Sequence, residues 1–218
     1  MTLNSKSRQK KRAKKAEKRK EAKKVKFGIA ALFGFAQEWV AAAKAPVADV
    51  FVPSNIFEMG IGTVWISRKL PDGRYAVAGF IVDTFCLGVK NVLDKLATAD
   101  EYERILSRIH SSPEEHFERE HPAYARKLVE RAVAYAQNLG FEPHSDYKLA
   151  KTLFGDVDAN TCPASFTFGH EGKPHYISGP NDSPAFQRRI IRQLEKRCGP
   201  NGYHWTISVS EGGGLTAR

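Results

Sequence analysis

Two β-rich runs, GTVWISRKL and RYAVAGFIVDTF, flank Pro71-Asp72-Gly73. No other stretch restricts the fold of this chain as strongly. β-branched and aromatic residues suit a pleated, half-buried surface. Pro71 fixes its own φ, Asp72 can bond the backbone two residues on, and Gly73 is free to adopt positive φ. Together they predict a β-hairpin over 62–85. A two-stranded hairpin is marginal alone, so the rest of the chain must cover it.

The other segments supply that cover. IAALFGFAQEWVAAAK at 29–44 predicts a helix that ends before Pro46, and VFVP at 50–53 a short strand. LGVKNVLDKLA at 87–97 and DEYERILSRIH at 100–110 both read as helical. HPAYARKLVERAVAYAQNLG at 121–140 is the strongest helix: Pro122 suits its first turn, Leu128, Val129, Ala132, Val133 and Ala136 form one apolar stripe, and Gly140 ends it. DYKLAKTLFG at 146–155 predicts a shorter helix, and SFTFG-HEGK-PHYIS at 165–178 a second hairpin. A helix follows at 183–198, with Ser183 as N-cap, Pro184 in the first turn and Gly199 after the end. YHWTISV at 203–209 predicts a final strand. This order lacks the regular βαβ alternation of a doubly wound fold. It predicts an α+β chain: one domain at 27–209 with a small antiparallel sheet packed against several helices, a basic arm at 1–26 and a flexible tail at 210–218.

Charge separates the arm from the rest. Residues 1–26 hold 13 basic residues and two acids, a net of +11; the other 192 hold 21 basic and 22 acidic residues, a net of −1. The high isoelectric point, about 9.5, therefore belongs to the arm. Dense Lys and Arg bind nucleic acid by releasing condensed counterions, without reading sequence. Arg8, Lys10, Lys11, Arg12, Lys14, Lys15, Lys18, Arg19, Lys20, Lys23 and Lys24 are the expected phosphate contacts. The arm has no aromatic residue to stack on bases. It reads as disordered when free and helical when bound, given Ala13, Ala16 and Ala22. The excess of one sign argues against a salt-bridged solvated helix, and the lack of an apolar stripe against a membrane-surface one. FGIAALFGFA at 27–36 followed by AAAKA at 41–45 mimics a signal peptide. The basic run before it is too long, Gln37, Glu38 and Trp39 interrupt it, and the apolar stretch is far short of the ~20 residues a span needs. No membrane association is expected. Cys86, Cys162 and Cys198 are odd in number and widely spaced, with no CxxC pair or Cys/His metal spacing, which fits free thiols in the cytoplasm.

Three loops carry candidate chemistry. In VDTFCLGVK at 82–90, Asp83 ends an apolar strand, where a catalytic or metal-binding carboxylate often sits. The plainer reading leads: Asp83 caps the next element, Cys86 packs in the core and Gly88 makes a tight turn. In GFEPHSDY at 140–147, His144 and Asp146 could form a base with its orienting partner, while the plainer reading has Asp146 as a helix N-cap. In EGKPHYISGPNDSP at 171–184, Lys173 and the helix start at Ser183 offer an anion site, without the spacing of a phosphate-binding loop. HSSPEEHFEREH places three histidines near glutamates but lacks HExxH, and GDVDAN lacks the glutamate of a calcium loop. No pattern specifies a metal or a cofactor.

GIG at 60–62, VDTFCLGVK at 82–90, GFEPHSDY at 140–147 and GKPHYISGP at 172–180 resemble the block pattern of a family of uncharacterised prokaryotic proteins, over most of residues 50–207. The resemblance implies a bacterial cytoplasmic protein whose blocks converge on one site; it implies no activity. The leading expectation is an accessory protein of RNA, ribonucleoprotein or DNA, attached through the arm. The alternatives are a metal-dependent hydrolase or nuclease using Asp83, His144 and Asp146, helped by His175 or Asp182, and a module of a larger protein assembly.

Overall fold

The structure, a computed structural model, describes residues 33–113, 115–207 and 216–217. The basic arm lies outside them. The chain divides into two compact units, 1–41 and 42–218. Helix α1 spans 33–42, and in the first unit its Phe35 and Trp39 stack at 5.4 Å.

The second unit is built on a five-stranded antiparallel sheet of order β4-β3-β2-β1-β5, formed by β1 (Val47–Pro53), β2 (Ile61–Lys69), β3 (Tyr75–Asp83), β4 (Gly88–Ala97) and β5 (Phe117–Arg119). The expected hairpin is its centre. β2 and β3 pair without a break from Ile61↔Asp83 to Lys69↔Tyr75, and Gly73 takes φ +84° in the turn. Strand residues alternate between faces. On one face Val64, Ile66, Ala78, Phe80 and Val82 are buried, and Phe80 stacks on Phe154 at 5.4 Å. On the other, Trp65 and Val77 pack with Tyr102 and Ile105 of helix α3 (Ala99–His110). A capping box between Thr98 and Glu101 starts α3.

Helix α4 (Pro122–Asn138) packs across the sheet, and its predicted stripe, Leu128 through Ala136, is buried throughout. Burying Leu128 and Val129 is worth about 1.5–3 kcal/mol each. The remaining elements are one-turn helices α2 (Ile56–Met59) and α5 (Tyr147–Ala150), helix α6 (Pro184–Cys198), and strands β6 (His175–Ile177), β7 (His204–Ile207) and β8 (Thr216–Ala217). α6 is capped as its sequence predicts, with Ser183 Oγ accepting the Phe186 N–H at 3.2 Å. A second core forms where α6 meets the end of α4: Ile190 and Leu194 pack with Ala136, Leu139, Phe141, Tyr176 and Leu87. The whole is α+β, as expected.

Two expectations are corrected. Residues 88–97 form strand β4, not a helix. Paired along its length with β3 from Tyr75↔Ala97 to Asp83↔Gly88, it buries Val89 and Val92 and leaves Leu93 exposed, so sheet pairing overrides the helix-like sequence. Residues 165–178 do not form a hairpin. Phe166 and Phe168 pack instead against Phe57, Tyr124 and Tyr135, and β6 pairs in parallel with β7, His175 opposite His204. β8, within the segment expected as a flexible tail, pairs antiparallel with β7. No helix among the described residues is long and apolar enough to cross a membrane.

Candidate functional site

The tight connection between β3 and β4 organises the site. Asp83 ends β3, and its Oδ1 accepts the backbone N–H groups of Phe85 at 3.0 Å and Cys86 at 2.8 Å. Gly88 restarts the strand at φ +63°. A Cβ there would lie 2.8 Å from the Ala132 carbonyl oxygen of α4, so only glycine lets helix and turn meet so closely. Cys86 is fully buried. The carboxylate thus closes this turn, in line with the plainer reading. Burial raises the Asp83 pKa to about 6, against the opposing pull of Lys90 and of the backbone donors.

This shift has a testable consequence. As pH rises above 3.8, the ordinary value of an aspartate, the unfolded chain releases the Asp83 proton, while the folded chain holds it until about 6. The folded state binds more protons in that window, so this residue's contribution to stability falls with rising pH. Asp83→Asn keeps an acceptor for Phe85 and Cys86 and removes the titration. By chemical denaturation, the variant should match the wild type near pH 4 and exceed it by about 3 kcal/mol at pH 7. A difference that stays constant with pH contradicts this.

Beneath the turn lies a cavity of about 220 Å³, whose walls include Asp83, Phe85, Lys90, His175, Ile177 and Pro180. Gly60, the left-handed C-cap of α2 at φ +74°, forms part of the wall; a Cβ there would fall 2.2 Å from the Phe85 ring. Three of the four sequence blocks, 60–62, 82–90 and 172–180, therefore contribute to one cavity. His175 stacks on Phe85 at 6.0 Å and lies 5.4 Å from the His170 ring. Its Nε2 is 3.0 Å from Thr206 Oγ1, while its Nδ1 is buried without a hydrogen-bond partner among the described residues. Burial, then the neighbouring His170 and His204, lower its pKa.

Beside it opens a larger cleft of about 820 Å³. Leu87, Val89, Phe141 and Ile190 form its apolar part, while Lys90, His144, Arg189, Arg192 and Lys196 bring positive or ionisable groups to it. Residues of the fourth block, 140–147, line this cleft, and Lys90 lines both. α6 carries five cations (Arg188, Arg189, Arg192, Lys196 and Arg197) and one acid, Glu195. All five are exposed, and none forms an ion pair among the described residues. The Arg189 guanidinium lies 5.1 Å over the Phe186 ring. The acids of the cleft are engaged. Asp182 Oδ2 accepts from Tyr176 Oη at 2.7 Å and from the Gly179 N–H at 2.9 Å, and Glu142 accepts from Gln137 at 3.2 Å. A shallower groove continues past Gln193 and Lys196 to Arg197.

His144 and Asp146 do come together. The Asp146 N–H donates to His144 Nδ1 at 3.3 Å, and the carboxylate stands 3.7 Å from the same nitrogen. Asp83 lines the small cavity and His144 the large one, so this structure does not gather the three residues in a single pocket. Lys173 sits in the tight turn that bridges His170, and Ser183 caps α6. Among the described residues, no group of three or more His, Cys, Asp or Glu is placed to hold a metal ion. The cations of α6 were missed from sequence. Arg189, Arg192 and Lys196 stand three and four residues apart, the spacing of one helix face. Comparison with protein-family models, with curated proteins and with solved structures finds no match to this chain.

Proposed function

We propose that the protein binds single-stranded nucleic acid along the α6 cleft, with the N-terminal arm as its electrostatic attachment. The observation that carries this reading is the set of four cations, Lys90, Arg189, Arg192 and Lys196, beside one partly apolar cleft and without ion pairs among the described residues. Regularly spaced cations neutralise phosphates, and an adjoining apolar or aromatic surface takes the bases of a single strand. The Phe186–Arg189 pair offers a face for stacking. The arm, at +11, adds affinity that is independent of sequence. A hydrolase built on Asp83, His144 and Asp146 is less well supported, since Asp83 is engaged in closing its turn and lines a different cavity from His144.

A salt titration of single-stranded RNA and DNA binding tests the proposal. With about eight phosphates on the arm and four in the cleft, log K should fall against log salt with a slope near −8 for the full chain. Starting the chain at Phe27 should leave a slope near −3. Absent or salt-independent binding by both chains overturns the proposal.

A further inference from the structure

We propose that the cavity beneath the β3–β4 turn receives one unstacked base of the strand lying in the α6 cleft, with Lys90 holding the phosphate at the junction. This inference rests on the nucleic-acid reading of that cleft. Lys90 connects the two spaces physically: its side chain is half-buried, lines both, and makes no ion pair or hydrogen bond among the described residues. Lys90 attracts the buried Asp83 carboxylate without an ion-pair contact, so its ammonium donors remain open to an anion that reaches from one space to the other. A phosphate whose base turns inward while its neighbours continue along the cleft has that geometry.

The cavity suits a base. At about 220 Å³ it is smaller than the ~300–1,000 Å³ typical of drug-sized ligands, and it has room for one planar ring system rather than a whole nucleotide. Its wall includes the Phe85 ring, and its mouth is bordered by Met59, Ile61 and Ile177. These three are exposed by 56%, 44% and 40%, and they make up half of the six exposed large apolar side chains among the described residues. Clustering of this kind marks a surface that awaits an apolar partner. The polar groups are those that read a base edge. Asp83 is an acceptor of the type that takes an exocyclic amino group, and His175 Nδ1 is a buried nitrogen without a partner among the described residues. A base edge offers both donors and acceptors, so it can satisfy that nitrogen in either tautomer. Enzymes and binders that take up an unstacked base combine stacking walls with hydrogen bonds to its edge in this way.

The test compares a single-stranded oligonucleotide with an abasic strand of equal length, using the full-length protein. The wild type should bind the base-bearing strand more than tenfold more tightly than the abasic strand, about tenfold of it from the inserted base. Ile177→Trp, an exposed position at the cavity mouth, should close the cavity. It should keep the abasic affinity and salt slope unchanged and lower the preference about tenfold, to what the apolar surface of the cleft itself contributes. Ile61→Trp closes the mouth from β2 and serves if the first variant misfolds. A preference undiminished by both substitutions overturns base insertion and leaves the cleft reading standing; equal binding of the two strands by the wild type overturns base insertion and leaves only the phosphate contacts of the cleft. Failure of the wild type to bind either strand overturns both.

Discussion

Arg68→Ala should lower the unfolding free energy by about 3–5 kcal/mol, the largest loss of stability expected from any single charged residue here. Arg68 lies on β2, on the core face shared with Val64 and Ile66, and is only 3% exposed. Opposite it on β3 is Ala76, whose small side chain leaves room for the arginine stem. The guanidinium donates from Nε to the Leu153 carbonyl at 2.7 Å, from Nη2 to the Phe154 carbonyl at 2.7 Å, and from Nη1 to the Ala45 carbonyl. Burial lowers its pKa, opposed by Asp156. The Asp156 carboxylate is 3.5 Å away but 94% exposed, so this ion pair adds little. What counts is the fork of donors. Removing it strands two or three buried carbonyls, each costing about 1–3 kcal/mol. Arg68→Lys, with one ammonium and no planar fork, should recover less than half of the loss. A shift in urea midpoint corresponding to less than about 1 kcal/mol for Arg68→Ala would contradict this picture.

The second large effect concerns binding. Replacing Arg189, Arg192 and Lys196 together by alanine should weaken single-strand binding on the order of 50-fold at 0.15 M salt, with the salt slope reduced by about 2. The figure follows from ~0.7 released counterions per phosphate contact on a single strand. All three residues are exposed on α6, whose packing rests on Ile190 and Leu194, so the fold should persist. Alanine is also the best helix former. Unchanged thermal melting with lost binding separates a cleft effect from unfolding. Replacing Arg104 and Arg108 of α3 together with Arg131 of α4, all exposed and away from the cleft, provides a charge-matched control and should reduce the slope far less. Equal losses from both sets would mean that only net charge matters.

Much of the frame was legible because local and tertiary preferences agree there. The β2–β3 hairpin carries its turn chemistry in Pro71-Asp72-Gly73, and α4 and α6 carry both caps and stripes. Residues 88–97 misled because Leu87, Val89, Val92, Leu93 and Leu96 also satisfy a helical spacing; only the ladder from β3 decides between the two. Residues 165–178 misled because alternating aromatics look like a strand, whereas Phe166 and Phe168 find partners on Phe57 and on α4. At the site, the turn-closing role of Asp83 could be anticipated from its position before Thr84-Phe85-Cys86. The cleft could not, since it depends on β4 and α6 being brought side by side. The near-zero net charge of the body also hid it: five cations sit on one short helix while the acids are spread elsewhere.

The most direct measurement is a salt titration of single-stranded RNA binding by the chain beginning at Phe27, which lacks the whole arm. Residual binding with a log–log slope near −3, abolished by the α6 triple substitution, is the predicted result. A chain that binds only while it carries residues 1–26 would contradict the account and return the cleft along α6 to an unassigned surface.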